Sequence, residues 1–306
     1  MICHIIGILM HTGEASAQNV WVKEHEPARL PVTEEKLERE VGFLSDSLCQ
    51  GRATGTGGGS AAAFWVHRQF ENAGLLKFDD SYAKRVWINK DLSGHNIVGM
   101  IPGSHKKKCD SYIVIGAHYD HIGILDGKFY PGADDNASGV AALLELAKTF
   151  GKRYVEKDNL NHNIVFVAFD GNNFSLAGSR HFASRLGIAA SQITCMLNLD
   201  QMGSTLAPVG DKEEYLLVLG GNKLKGWQQE QLEFANRYFG LGLHLDFSYY
   251  GSPDFYDIFY KLSDQQSFTE RGIPALLFTS GITKLTNKEG DRVESLDLEV
   301  LKRRIE

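Results

Sequence analysis

Residues 164–182 read IVFVAFDGNNFSLAGSRHF, and this stretch decides the fold. Its first six residues, 164–169, are apolar without polar alternation, which is the pattern of a strand buried on both faces of a sheet. A polar turn follows, and residues 174–185 then have the spacing of a helix. A buried strand that leads through a short turn into a helix is the repeating unit of an α/β protein.

The same unit recurs along the chain. Apolar runs predict further strands at residues 96–101, 112–117, 195–199, 215–219 and 275–278. Helical spacing predicts helices at residues 33–48, 61–73, 138–150, 224–238 and 263–271. The alternation predicts a three-layer α/β/α domain around a largely parallel sheet. The glycine-rich stretch GRATGTGGG at 51–59 follows a helix rather than a strand, so we interpret it as a flexible connection and not as a dinucleotide loop.

Composition limits the class of protein. The chain has 306 residues, of which 43% are hydrophobic and 23% charged, and this suits one large globular domain or two small ones. The net charge of −6, with both signs interspersed, argues against a nucleic-acid partner. The four cysteines form no CxxC pair, so we expect free thiols, with a stabilising disulfide as the alternative.

Residues 1–17 resemble a truncated signal peptide. A short apolar run, 5–10, precedes Ala15-Ser16-Ala17, the A-x-A pattern of a cleavage site, but no basic residues lead it. Cleavage would leave a domain at 18–306 and export it to the periplasm or the extracellular space. The alternative is a disordered tail on a cytoplasmic protein. No later segment is long and apolar enough to predict a membrane span.

Polar residues follow three of the predicted strands. The strand at 112–117 continues into HYDH (118–121), that at 164–169 into DGNN (170–173), and that at 195–199 into DQMG (200–203). Between the first two, PGADDNASG (131–139) opens a helix. Alone, the first motif is also typical of a surface turn, and Asp134–Asp135 of a helix cap. Because sites in open α/β sheets lie beyond the carboxyl ends of strands, the three motifs together predict one functional site.

In order and spacing, these segments resemble the M28 family of zinc aminopeptidases. The resemblance rests on GAHYDHIG (116–123), YPGADDNASGVAALLELA (130–147), IVFVAFDGNNFSLAGSRHF (164–182) and LNLDQMG (197–203). Weaker matches are GRATGTGG (51–58), NIVGMIPG (96–103) and LSDQQSFTERGIPALLFTSG (262–281), so that nearly all of the chain after residue 30 is covered. The resemblance implies a single zinc exopeptidase-like domain with a mixed sheet of about eight strands between helices.

The resemblance also implies a set of metal ligands. The family uses two zinc ions that share an aspartate, which is Asp135 in this sequence. One zinc would take His118 and Asp200 beside it, and Asp120 would orient His118. All four residue types are present.

Asparagines stand at the other three positions. The family's second zinc takes a glutamate, here Asn173, and a late histidine, which a gap-free alignment from 281 to 297 places at Asn287. Asn172 stands at the position of the general-base glutamate. We expect these neutral amides to keep the second half-site packed and hydrogen-bonded without a metal, because a buried unpaired glutamate would be costly. The expected cofactor is therefore one zinc ion per chain, since a second divalent ion would add two charges without a new carboxylate.

Four functions follow from this pattern. The first is a degenerate peptidase with little turnover, because general acid–base help is worth about 10²–10⁴-fold. The second is a binding protein for a peptide or an amino-acid-derived ligand. The third is an active one-metal hydrolase. His121, His162 and His244 are available as its base, but the sequence does not indicate which of them, if any, reaches the site. The fourth, a conventional two-zinc aminopeptidase, lacks its ligands. The aromatic residues Tyr249, Tyr250 and Phe255 could line an apolar substrate pocket, or they could belong to the packed core or to the rim of the site. Nothing in the sequence indicates an oligomeric state.

Overall fold

The structure of the protein is a computed structural model that describes residues 32–103, 109–156, 160, 162–220 and 226–306. The signal-peptide-like segment at 1–17 lies outside the described residues. A nine-stranded sheet forms the centre of the domain. Its strands are β1 (Leu76–Lys77), β2 (Ala83–Trp87), β3 (Ser93–Ile101), β4 (Tyr112–His118), β7 (Asn163–Phe169), β8 (Ile193–Leu199), β9 (Tyr215–Leu219), β10 (His244–Asp246) and β11 (Ala275–Thr279). A separate two-stranded sheet pairs β5 (Gly123–Leu125) with β6 (Lys128–Tyr130).

The strand order is β1-β3-β7-β4-β8-β11-β9-β10, and β2 pairs with β3 beside β1. The four central strands, β7, β4, β8 and β11, are parallel to one another, while β3 on one side and β9 on the other are antiparallel to their inner neighbours. The prediction of a mixed α/β sheet is confirmed, with nine strands in place of about eight. Every residue of β7 is buried, as its unbroken apolar run indicates.

Helices cover both faces of the sheet. They are α1 (Glu34–Ser45), α2 (Gly57–Asn72), α3 (Gly139–Val155), α4 (Ala177–Ser184), α5 (Gly226–Tyr238), α6 (Pro253–Tyr260), α7 (Gln265–Thr269) and α8 (Leu298–Ile305). Alternate residues of β4 separate the two faces. Ile113 and Ile115 share a core with α1, α2, α3 and α8, whereas Val114 packs in the core that contains Phe182 of α4 and Phe268 of α7. This is the expected three-layer arrangement.

The glycine-rich segment is a packed turn, so the prediction of a flexible connection was wrong. Ser47–Arg52 forms a 3₁₀ turn, and Gly57–Gly59 is the first turn of α2, with Thr56 as its N-cap. A Cβ added to Gly58 would lie 2.0 Å from the backbone oxygen of Cys49. Gly51 has a φ of +68°, which a side chain would strain. The glycines therefore allow close backbone packing, and periodicity does not distinguish this from a loose linker.

Two smaller expectations also concern the fold. Cys49, Cys109 and Cys195 are buried and free, in agreement with the prediction of free thiols. Among the described residues, no helix combines the length and the apolar character needed to traverse a bilayer.

Candidate metal centre

The carboxyl ends of β4, β7 and β8 meet at one edge of the sheet because these strands are parallel neighbours. His118 is the last residue of β4, and Asp200 directly follows β8. Asp135 comes from an irregular turn, Ala133–Ser138, that precedes α3, and its peptide bond to Asn136 is cis. The fold thus brings together three residues that are far apart in sequence.

His118, Asp135 and Asp200 could hold one metal ion, since one ligand atom of each lies within 4.8 Å of the others. Nε2 of His118 is 3.6 Å from Oδ1 of Asp135 and 3.5 Å from Oδ1 of Asp200. Ligand atoms about 2.0–2.1 Å from a tetrahedral zinc would be about 3.3–3.4 Å apart, so these spacings suit zinc. Oδ1 of Asp200 is buried and has no hydrogen-bond partner, which a metal ion would supply. We call these three residues the metal group.

The tautomer of His118 is set by a backbone oxygen. Nδ1 of His118 lies 3.1 Å from the carbonyl oxygen of Asp120, within hydrogen-bond distance, whereas the Asp120 carboxylate is 3.8 Å away. Nδ1–H donates to this carbonyl in the neutral ring, and Nε2 is left free to bind a metal. The orienting role that the resemblance implied for the Asp120 side chain is therefore filled by its main chain.

The Asp120 carboxylate joins two strand ends instead. Its oxygens accept the backbone N–H groups of Asn172, at 3.0 Å, and Asn173, at 3.3 Å. Burial, and then the nearby Asp170, raise the pKa of Asp120 to about 7. The turn that carries the asparagines is thus fixed against the strand that carries His118.

Asp291 holds the acidic turn. Its two carboxylate oxygens accept the backbone N–H groups of Asp134, at 2.8 Å, and Asp135, at 3.0 Å. The side chain of Asp134 is not part of the metal group and accepts from the backbone N–H of Gly203. Only Asp135 of this acidic pair therefore faces His118, a distinction that the DD dipeptide does not reveal.

The metal group lines a pocket of roughly 180 Å³ that is partly open to solvent. Asn172, Asn173 and Asn287 lie in the same lining, together with Gln201. Nδ2 of Asn172 donates to the buried carboxylate of Asp264 at 3.2 Å. The side chains of Asn173 and Asn287 are exposed, so the expectation that the asparagines keep this half-site packed was wrong for two of the three.

Other sequence candidates fall in different places. Tyr249 lines the pocket, but Phe255 lies outside the lining, and the Tyr250 hydroxyl donates to the backbone oxygen of Ala207. Among the three candidate histidines, His121 is buried 3.9 Å from Asp135, and burial lowers its pKa well below the ordinary value. His162 lies near Thr194, close to the start of β8, and His244 opens β10, both away from the metal group.

Zinc affinity is expected to weaken as pH falls. Burial alone would lower the pKa of His118, but the carboxylates around it, Asp200 first, outweigh burial and raise that pKa to about 10. Burial raises the pKa of Asp135 to about 7 despite His118. At neutral pH, zinc must therefore displace the proton of the His118 imidazole. Below pH 7, it must also displace a proton from the Asp135 carboxyl group. Each displaced proton costs about tenfold in affinity per pH unit, so the dissociation constant should rise at least about 100-fold from pH 8 to pH 6.

Calorimetric zinc titrations at pH 6, 7 and 8, each in two buffers of different ionisation enthalpy, measure this proton release directly. An affinity that does not change with pH would contradict the arrangement of charges described above.

Comparison with known proteins gives a consistent picture. The sequence model of peptidase family M28 matches residues 96–306. A probable zinc metalloprotease from Pyrenophora tritici-repentis is 29% identical over 199 residues, which is 61% of this chain and 44% of that protein. A probable leucine aminopeptidase from Arthroderma otae is 30% identical over 154 residues, 48% of this chain and 39% of that protein. Each of these matches thus spans less than half of the curated relative.

The solved structure of a zinc aminopeptidase from Bacillus subtilis shares the fold. It superposes with a TM-score of 0.68 over 89% of this chain and 92% of its own, at 15% sequence identity. At that identity the likeness establishes the architecture, and the chemistry has to be argued from the residues of the pocket.

Proposed function

Because the chain belongs to peptidase family M28, we propose that it is a member that binds one zinc ion, holds a peptide-like ligand and hydrolyses it poorly or not at all. The observation that supports this proposal is the asymmetry of the pocket. His118, Asp135 and Asp200 converge on one position, whereas the other side of the pocket presents the amides of Asn173 and Asn287.

Charge favours a single ion. One divalent cation against Asp135, Asp200 and a neutral His118 gives a net charge of zero. A second cation nearby would add two positive charges, and among the described residues the pocket lining contains no further carboxylate. Amide oxygens are weak ligands for zinc compared with carboxylate and imidazole. The second position therefore has neither the charge nor the ligand types that zinc prefers.

The chemistry of hydrolysis is also incomplete. A zinc ion held by three protein ligands supplies a Lewis acid and lowers the pKa of bound water towards about 7. The protein must still move a proton from water to the leaving amine. Asn172 is neutral and its amide already donates to Asp264, so it cannot accept this proton. General acid–base catalysis is typically worth about 10²–10⁴-fold, and we expect that loss at least.

Asp264 favours a second candidate function, a one-metal hydrolase. Its carboxylate is completely buried, one of its oxygens has no hydrogen-bond partner, and burial raises its pKa. A carboxylate with a raised pKa suits a general base near neutral pH. Asn172 lines the pocket and Asp264 does not, however, so Asp264 would have to act through the amide that contacts it or after a movement of the turn.

Zinc content and hydrolysis, measured on the same protein purified without chelator, test the proposal. We expect about one zinc per chain and no turnover of a panel of aminoacyl amides. Turnover that is lost in both Asp200→Ala and Asp264→Asn would instead establish the one-metal hydrolase. A zinc content near two per chain would overturn the proposal, because the asparagines would then not have removed a metal site.

A further inference from the structure

The region of the pocket beside the metal group carries no formal charge. We define the amide region as the side chains of Asn172, Asn173, Asn287 and Gln201. Among the described residues, the lining contains no lysine, arginine or glutamate, and its carboxylates and imidazole all belong to the metal group. The phenol of Tyr249 is also neutral near pH 7, and burial raises its pKa further, to about 12. With zinc bound, the metal group itself is neutral, and among the described residues the lining then holds no unbalanced formal charge.

The amide region offers donors and acceptors together. Each asparagine or glutamine side chain has an NH₂ group that donates and a carbonyl oxygen that accepts. Asn173 and Asn287 are exposed, so both groups are available to a ligand, while the Gln201 oxygen already accepts from Thr286 at 2.8 Å. This pairing of donor and acceptor matches another amide better than it matches an ion.

Apolar side chains line the same pocket. Leu262 and Ile282 belong to the lining and are 56% and 45% exposed, so a ligand can cover them. Phe259, which is half-buried, adds further apolar surface. The pocket therefore combines neutral hydrogen-bonding groups with uncovered hydrocarbon, which suits a ligand of the same mixed character.

A free ammonium group is a poor fit to this region. It would lose part of its hydration on entering the pocket and find amide oxygens, but the carboxylates of the lining are already balanced by zinc, and burying an unpaired charge is costly. An acylated nitrogen has one N–H donor and one carbonyl acceptor, and both have partners among the asparagines. Resting on the one-zinc function above, we propose that the ligand has a neutral, acylated amino group: an N-acyl amino acid or a peptide blocked at its N-terminus.

Binding of a matched pair of probes tests the proposal. Leucinamide and N-acetyl-leucinamide differ only in the acyl group, and at pH 6.5 the amine of the first is largely protonated. Zinc content is measured first, and each probe is then titrated calorimetrically into protein holding one equivalent of zinc. We expect the acetylated probe to bind at least about tenfold more tightly, since hydrogen bonds to well-matched neutral groups are kept and no charge is buried.

A charge-restoring variant gives a second readout. Asn173→Asp should shift the preference about five- to tenfold towards leucinamide, because it supplies a carboxylate for the ammonium. Asn72→Asp adds the same charge at an exposed position outside the pocket lining and should leave the preference unchanged. All proteins receive only one equivalent of zinc, so that the added aspartate does not recruit a second ion.

The outcomes separate the two proposals. One bound zinc with tighter binding of leucinamide, or with binding of neither probe, would overturn the acylated-ligand proposal and leave the one-zinc proposal standing. Failure to bind zinc would overturn the proposed function itself. Tighter binding of the acetylated probe, together with the shift in Asn173→Asp alone, would support both.

Discussion

Replacing Asn172 and Asn173 by glutamate and Asn287 by histidine is expected to raise the zinc content from one ion to two per chain and to create aminopeptidase activity. Asn173 and Asn287 are exposed in the pocket, so the longer side chains have room. The carboxylate at 173 and the imidazole at 287 would supply the second ion with the ligand types it prefers. The carboxylate at 172 would restore a proton acceptor, worth about 10²–10⁴-fold in rate.

A double variant separates the metal from the base. Asn173→Glu with Asn287→His should bind the second zinc, and the step from this double to the triple variant should carry most of the gain in turnover. Zinc content by metal analysis and hydrolysis of leucinamide measure the two effects independently. A triple variant that stays at one zinc would show that Asn173 and Asn287 are not the lost ligand positions. Two zincs without turnover would show that the pocket itself no longer fits the substrate.

The central strands were predictable because burial on both faces leaves an unbroken apolar run. Tyr215–Leu219 was predicted to the residue, and the ends of the runs at β4, β7 and β8 correctly located the edge where His118, Asp170 and Asp200 lie. The peripheral strands β1, β2, β5, β6 and β10 were missed. They have only two to five residues and are largely or partly exposed, so neither length nor apolar pattern marks them.

The candidate site was predictable only in part. The resemblance to the family implied the residues of the metal group, and the gap-free alignment placed the family's late histidine at Asn287, which does line the pocket. The contacts around these residues could not be predicted. Asp264 contacts Asn172 although the two are 92 positions apart in sequence. His118 is oriented by the backbone oxygen of Asp120, whereas the resemblance implied this role for the Asp120 side chain. A local pattern identifies residue types, whereas such contacts depend on how distant segments pack.

Arg52 is the clearest case of a residue that only the structure explains. Its side chain is completely buried, and the resemblance marked it only within the motif GRATGTGG. The guanidinium donates to the backbone oxygens of Leu44, Tyr119, Pro131 and Gly132 at 2.6–2.8 Å. One of these oxygens lies beside His118 in sequence, and two precede the turn that carries Asp135. A single cation thus joins two of the three segments that carry the metal group, those of His118 and Asp135.

Arg52→Met is accordingly expected to lower the free energy of unfolding by about 3–5 kcal/mol, because it breaks a buried network of hydrogen bonds. Methionine replaces much of the hydrocarbon stem but leaves four carbonyl oxygens without this donor. Each unsatisfied oxygen costs about 1–3 kcal/mol of stability before the structure relaxes. Arg52→Lys should cause a smaller loss, because the ammonium keeps the charge but lacks the planar spread of donors.

Urea unfolding of the metal-free proteins measures this loss, and zinc titration below the unfolding transition measures its effect on the site. Arg68→Met is the matched control. It makes the same chemical change on the exposed surface of α2, where Arg68 pairs with Glu71, and should shift stability by no more than about 0.5 kcal/mol. Zinc affinity should fall in Arg52→Met and not in the control, since Arg52 joins the segments that carry His118 and Asp135 and Arg68 contacts neither. If Arg52→Met were as stable as the control, the four hydrogen bonds of Arg52 would not stabilise the segments that carry His118 and Asp135.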